Sequence, residues 1–159
     1  MKHEARVRWK LRGDMASGRY SRAHELLFDG GAVVTGSPSP GIVPAPWSNP
    51  AAVDPEEAFV AALAACHMLW FLDLARREGF TAESYDDRAF GVMTKNDAGA
   101  LWISHVTLRP KVRWTHGPDA EAEAALHEAA HHACFIANSV KSEITIETPR
   151  GDRHDRRPH

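Results

Sequence analysis

The stretch DPEEAFVAALAACHMLWFL, residues 54–72, decides the fold of this chain. Asp54 is a favourable N-cap, Pro55 suits the first helical position, and the two glutamates that follow stand where the helix dipole stabilises carboxylates. Gly79 can adopt the left-handed conformation that ends a helix. The pattern therefore predicts a long helix from about residue 55 to about residue 78.

Apolar side chains nearly encircle this helix, which predicts a central helix that is buried all round. They are Phe59, Val60, Leu63, Met68, Leu69, Trp70, Phe71 and Leu72. Cys66 lies in the middle of the helix. Phe59, Met68 and Trp70 could contact an apolar substrate, but packing in the core is the favoured interpretation of all three.

Upstream of the helix, three segments have the composition of strands. Residues 3–11 alternate in part between apolar and basic side chains, which indicates a strand with one buried face. Residues 19–28 and 32–35 predict two further strands, separated by a turn with two glycines. Residues 37–55 contain six prolines and predict an extended loop.

Downstream of the helix, residues 83–94 and 101–115 predict a hairpin that turns at residues 96–99. A second helix is expected from residue 118 to about residue 133, and residues 143–147 alternate as a last strand. Strands and helices do not alternate regularly, so the predicted class is α+β with a largely antiparallel sheet.

The length of 159 residues suits one domain, which we expect to span residues 1–148, followed by a charged, disordered tail at 149–159. The 19 Lys and Arg nearly balance the 21 Asp and Glu, so neither nucleic acid nor an anionic membrane is an expected partner. The N-terminus lacks the apolar run of a signal peptide, and Cys66, His67 and Asp73 interrupt the most apolar stretch. We therefore expect a cytoplasmic, soluble protein.

The chain has two cysteines, Cys66 and Cys134. In a reducing compartment a structural disulfide is not expected, whereas a catalytic or redox pair is allowed. A cysteine in an apolar helix is usually inert packing. A reactive thiolate needs cationic neighbours, which Arg19 or Arg22 could supply, and a carboxylate could orient the arginine.

Residues 54–72, together with the later stretch HHACFIANSVKSEITIE at 131–147, resemble the OsmC/Ohr family of osmotically inducible and organic-hydroperoxide-resistance proteins. The resemblance extends over residues 9–147. It implies an OsmC/Ohr-like intertwined homodimer with antiparallel sheets and a long central helix. Two positions depart from the family pattern: Phe135 stands where proline often follows the second cysteine, and His67 follows Cys66.

The resemblance further implies a cysteine-based peroxidase, an oxidoreductase of the oxidative stress response that needs no cofactor and no metal. Cys66 matches the peroxidatic position, Cys134 the resolving position and Glu56 the glutamate of the family. Arg22 is the preferred match for the arginine, with Arg19 as the alternative. The implied substrates are organic hydroperoxides, with hydrogen peroxide as a second candidate, and the implied reductant is an external dithiol of lipoyl or another type.

Helix geometry adds a reason to expect a dimer. Glu56 and Cys66 are ten residues apart on the predicted helix, which corresponds to about 15 Å at about 1.5 Å per residue, and they point to different faces. A site that uses both side chains would need the glutamate of a second copy of the chain.

Two alternatives stay open at this stage. His127, Glu128 and His131 fit the H-E-x-x-H pattern of zinc hydrolases, although no third ligand is evident at a usual spacing. The protein could also be a non-catalytic OsmC-like protein that binds a small apolar ligand or a partner. The roles of His67, His131 and His132 stay open as well.

Overall fold

The computed structural model describes residues 1–148, and the chain divides into two compact units, residues 1–58 and the residues from 59 onward. The predicted disordered tail at 149–159 lies outside the described residues. Strands and helices do not alternate regularly along the chain, and most strand pairs are antiparallel. This confirms the predicted α+β class.

The first unit contains five short strands. They are β1 (Ala5–Arg8), β2 (Gly13–Asp14), β3 (Arg19–Tyr20), β4 (His24–Phe28) and β5 (Val33–Gly36). β1, β4 and β5 form an antiparallel sheet in that order, while β2 and β3 form a separate hairpin. All four residues of β1 are exposed in the single chain, so the prediction that one of its faces is buried was wrong.

The predicted second strand, residues 19–28, is interrupted between β3 and β4. At the break, the backbone N–H of Ser21 donates to the carbonyl of Arg12 at 2.9 Å, and that of Arg22 donates to the carbonyl of Trp47 at 3.0 Å. These bonds replace strand pairing, because each backbone donor has a partner outside the ladder. The rest of the unit is the predicted loop, in which the hydroxyl of Ser37 accepts from the N–H of Asn49.

Helix α1 (Pro55–Arg77) begins and ends as the sequence predicts. The N–H of Glu57 donates to the Asp54 carboxylate at 2.7 Å, and the N–H of Asp54 donates to the Glu57 carboxylate at 3.1 Å. This reciprocal capping box satisfies donors that a helix start would otherwise leave unpaired. Gly79 follows the helix with φ of +84°, the conformation that glycine adopts at helix ends without steric cost.

The burial of α1 differs from the all-round burial predicted for it. Its buried side chains, Leu63, His67, Phe71 and Ala75, recur every fourth residue and form a single stripe. On another face, Leu69 is 64% exposed. By length and composition α1 could cross a membrane, a test that the core helix of a soluble protein also passes, and here its buried stripe packs in the core.

The second unit holds the remaining strands. They are β6 (Thr81–Asp87), β7 (Phe90–Lys95), β8 (Leu101–Leu108), β9 (Pro110–His116) and β10 (Glu143–Ile146). β7 and β8 form the predicted hairpin, and β10 pairs with β8 in parallel. The outer halves of the predicted hairpin are separate strands, β6 and β9, which pair with each other. Asp87 ends β6, and Arg109 lies between β8 and β9. The N–H of Arg109 donates to the Asp87 carboxylate at 2.7 Å, so one hydrogen bond joins the two places where the predicted strands are interrupted.

Helix α2 (Ala120–Ala133) follows with Asp119 as its N-cap, and a short 3₁₀ helix (Ala137–Ser139) precedes β10. Two apolar clusters hold the unit together. The first joins Phe71 and Ala75 of α1 to Leu126 and Ala130 of α2. The second sets Leu63 of α1 against the buried residues of β8. The buried stripe of α1 thus contributes to both clusters, and this packing holds the helix that carries Cys66 in place.

Candidate functional site

Cys66 and Cys134 are neighbours in the second unit, and both are free thiols. Cys66 is half-buried near the middle of α1, whereas Cys134 is only 1% exposed and forms the C-cap of α2. The backbone N–H of Cys134 donates to the carbonyl of His131 at 3.3 Å, and its sulfur accepts from the N–H of Ala137 at 3.4 Å. One thiol is therefore accessible, and the second is held beside it in the core.

The environment of Cys134 keeps this residue in the thiol form. The pKa of Cys134 is raised to about 11, mainly by burial, which disfavours the thiolate, and in part by hydrogen bonding and charge from the side chain of Cys66. The N–H groups of Ala137 and Ile136 oppose this rise in pKa. Cys134 is therefore a protonated thiol in contact with the accessible Cys66.

Cys66 lines an open apolar cleft of about 500 Å³. The walls come from α1 and from the residues that follow α2: Ala62, Ala65, Leu69, Trp70, Asp73, Phe135 and Ile136. The Asp73 carboxylate pairs with Arg76 and Arg77. Two of the residues considered for apolar substrate contacts are placed differently. Trp70 lines this cleft, whereas Phe59 packs against the second core cluster.

Phe135 forms a wall of the cleft and is 69% exposed. Its ring meets Trp70 edge to face with centroids 5.3 Å apart, an arrangement that aromatic quadrupoles favour. The residue that replaces proline after the second cysteine therefore contributes apolar surface beside Cys66. The sequence marked this position as unusual but did not indicate that it faces the first cysteine.

Glu56 and Cys66 lie on one continuous helix, so the separation of about 15 Å expected from helical rise holds for them. The structure also distinguishes the two glutamates of the first turn. Glu57 closes the capping box with Asp54, so helix capping does not account for Glu56.

Arg22 is held by its own unit. Its guanidinium donates to the carbonyls of Gly18 at 3.0 Å and Tyr20 at 2.6 Å, and it stacks over the Tyr20 ring at 3.8 Å. Arg19 lies in β3, where it is paired in register with Asp14. The two candidate arginines thus differ, because the head group of Arg22 is fixed by backbone carbonyls and a ring.

A buried histidine pair lies next to the cysteines and was not predicted. His67 of α1 and His127 of α2 are 1% and 3% exposed, and the Nε2 atom of His67 lies 3.0 Å from the Nδ1 atom of His127. The Phe71 ring stacks on His127 with centroids 4.1 Å apart. The burial of His67 could have been predicted from the sequence, because His67 lies four residues after Leu63 and four before Phe71 and therefore on the same face of the helix.

Acid is expected to destabilise the fold through this pair. Burial is the main reason that the pKa values of His67 and His127 fall from 6.5 to about 4, with the charge of His131 adding to the shift at His67. The unfolded chain then binds more protons than the folded chain, so stability is lost as the pH falls from about 6.5 towards 4. A single histidine whose pKa falls this far lowers the free energy of unfolding at acid pH by on the order of 3 kcal/mol.

Urea unfolding at pH 7 and pH 4, at one protein concentration, measures this loss. The matched control is the double variant His67→Gln with His127→Asn, which keeps polar atoms at the paired positions but cannot titrate. The carboxylates titrate in both proteins. Equal losses of unfolding free energy in the wild type and the control would contradict the prediction.

The H-E-x-x-H motif does not form a metal site in this fold. Its first histidine, His127, faces His67 in the core, and Glu128 lies 2.9 Å from His132 on the exposed side of α2. Within residues 1–148 no group of three His, Cys, Asp or Glu side chains is arranged to hold a metal ion. The motif is better explained as the composition of an amphipathic helix.

Comparisons with known proteins place the chain in a family. Residues 48–149 match the OsmC-like protein family. An OsmC-like protein of unknown function from Vibrio cholerae is 44% identical, with a TM-score of 0.91 over 94% of this chain and 99% of that one. No curated protein matches significantly.

More distant structures share the fold. The organic hydroperoxide resistance protein OhrB of Bacillus subtilis is 21% identical, with a TM-score of 0.66 over 92% of this chain and 98% of that one. An organic hydroperoxide resistance protein from Elizabethkingia anophelis is 18% identical, with a TM-score of 0.64 over 93% and 96% of the two chains. The family match over most of the chain and the shared fold lead to one conclusion: this chain belongs to the OsmC/Ohr family.

Proposed function

We propose that this protein is a thiol-dependent peroxidase that reduces organic hydroperoxides to alcohols, with hydrogen peroxide as a second substrate, through Cys66 and Cys134. One observation carries the proposal: an accessible thiol on an apolar cleft stands beside a second thiol that is buried and protonated. A peroxidatic cysteine must meet the substrate, and a resolving cysteine must wait close by without competing for it. Hydroperoxide resistance proteins share the fold.

The reaction proceeds in two covalent steps. The thiolate of Cys66 attacks the terminal oxygen of the hydroperoxide, the O–O bond breaks, and the alkoxide leaves and takes up a proton to become the alcohol. Cys66 is then a sulfenic acid. The sulfur of Cys134 attacks it, water leaves and a disulfide forms. An external dithiol of lipoyl or another type reduces this disulfide by thiol exchange, which returns both cysteines to thiols.

We assign the supporting charges to Arg22, with Arg19 as the alternative, and to Glu56. An arginine stabilises the Cys66 thiolate and the developing alkoxide, and a carboxylate holds the guanidinium through a bidentate pair. Since α1 separates Glu56 from Cys66 by about 15 Å, we assign the glutamate to the second subunit of a homodimer. Residues 1–148 then act as one domain in a cytoplasmic enzyme.

The direct test is to add cumene hydroperoxide and hydrogen peroxide separately to the reduced protein. We expect both thiols to be lost and a Cys66–Cys134 disulfide to appear in the peptide mass spectrum, faster with the organic peroxide because the cleft is apolar. Unchanged thiols would exclude the peroxidase. Inertness towards an alkylating reagent as well would favour the alternative, a non-catalytic protein that binds a small ligand or a partner at this cleft.

Mixing two inactive variants tests the shared site. Cys66→Ser lacks the thiol, and Glu56→Gln lacks the carboxylate, so each homodimer is expected to be severely impaired. After co-refolding in equal amounts, half of the dimers are mixed, and one of the two sites in each mixed dimer has both native residues. Recovery of about one quarter of wild-type turnover is expected. A mixture no more active than the mean of its two components would show that Cys66 and Glu56 do not act across a dimer.

A further inference from the structure

The buried histidine pair joins the two helices that carry the cysteines. His67 directly follows Cys66 on α1, and His127 lies one turn before His131, whose carbonyl accepts from the N–H of Cys134. The rings of the pair are nearly parallel, with 6° between their planes, and their facing nitrogens are 3.0 Å apart. A shift of α1 along α2 would therefore change this contact and the separation of the cysteines together.

Packing alone does not explain why these two residues are histidines. Within residues 1–148, the remaining ring nitrogens, Nδ1 of His67 and Nε2 of His127, are buried and have no hydrogen-bond partner. An orphaned buried polar atom costs free energy, which a pair of leucines in the same core would avoid. What the histidines add is direction, because a hydrogen bond requires a fixed distance and angle, whereas apolar contacts tolerate sliding.

We propose that the hydrogen bond between His67 and His127 is a positioning contact that holds α1 and α2 in the register in which Cys134 reaches the oxidised Cys66. The inference rests on the proposed function, and it concerns the second step, disulfide formation. A disulfide forms only when the two Cβ atoms come within about 3.5–4.5 Å of each other. A small shift between the helices is therefore enough to slow closure.

The pair is suited to a neutral, fixed contact. Burial lowers the pKa of both rings to about 4, so at neutral pH one ring donates its N–H and the other accepts. The titratable side chain that acts on His67 from α2, besides His127, is His131, which is only partly buried. The contact therefore holds throughout the neutral range in which thiolate chemistry occurs.

The test separates the two steps of the reaction. Rapid quenching after one equivalent of cumene hydroperoxide, with a dimedone trap, measures sulfenic acid formation and disulfide closure in each variant. In His67→Leu and His127→Leu we expect the first step to change less than threefold and closure to slow at least tenfold, so that the dimedone adduct of Cys66 accumulates. The double variant His67→Gln with His127→Asn, which restores polar atoms at both positions, should close within threefold of the wild-type rate.

A second measurement does not depend on peroxide. Equilibration with reduced and oxidised dithiothreitol gives the stability of the Cys66–Cys134 disulfide, which should fall at least tenfold in the leucine variants and recover in the double variant. If the leucine variants lose their circular dichroism spectrum, His67→Asn replaces them, since its amide ends too early to reach His127. Equal closure rates and equal disulfide stability in the contact-breaking variants and the wild type would overturn the inference. Failure of the wild type to react with peroxide would instead overturn the peroxidase.

Discussion

Cys66→Ser is expected to abolish peroxide reduction. Serine is nearly isosteric with cysteine but its hydroxyl is not ionised near neutral pH, so the residue cannot attack the O–O bond. Loss of the nucleophile should lower turnover with cumene hydroperoxide by on the order of 10³-fold or more, as is usual for groups that form the covalent intermediate. The measurement is peroxide consumption in the presence of an excess of dithiothreitol.

Cys134→Ser provides the matched control for that experiment. Because this residue acts only after the O–O bond is broken, the reduced variant, freed of dithiothreitol, should consume its first equivalent of peroxide at nearly the wild-type rate and stop at a sulfenic acid on Cys66. A dimedone adduct at Cys66 in the mass spectrum identifies that state. If Cys66→Ser retained activity, or if Cys134→Ser lost the first turnover while still folded, the order of the two cysteines would be wrong.

Phe71→Ala is expected to produce the largest loss of stability. The ring is 0% exposed and lies between Tyr85, Trp114 and His127, with centroids 5.7, 5.8 and 4.1 Å away. Its removal leaves a cavity where α1, α2 and the β6–β9 pair meet, which typically costs about 3–5 kcal/mol in the free energy of unfolding. Urea unfolding at one protein concentration provides the number.

Phe135→Ala serves as the comparison for this loss, since it removes the same ring from a position that is 69% exposed in the chain. Its edge-to-face contact with Trp70 is the main interaction lost, so a cost on the order of 1 kcal/mol is expected. A cost for Phe71→Ala no greater than that for Phe135→Ala would mean that Phe71 is not at the centre of the core.

The helix bounds were predictable because their causes are local. The capping box joins Asp54 to a residue three positions away, and Gly79 ends the helix through its own backbone freedom. The strand breaks were not predictable. Ser21 and Arg22 leave the strand because their N–H groups donate to carbonyls at residues 12 and 47, and no pattern within the segment itself reports a partner 25 positions away.

The sequence by itself determined the order of the strand-rich segments and the two helices, the helix that carries Cys66, and, through the pattern around Cys66 and Cys134, the family. These depend on local periodicity, on capping and on motifs that can be read along the chain. The tertiary structure alone decided which face of α1 is buried, that Cys134 lies protonated beside Cys66, and that His67 meets His127. Each of these depends on side chains about 60 residues apart in the chain, and their burial and pKa values arise only when the two helices pack together.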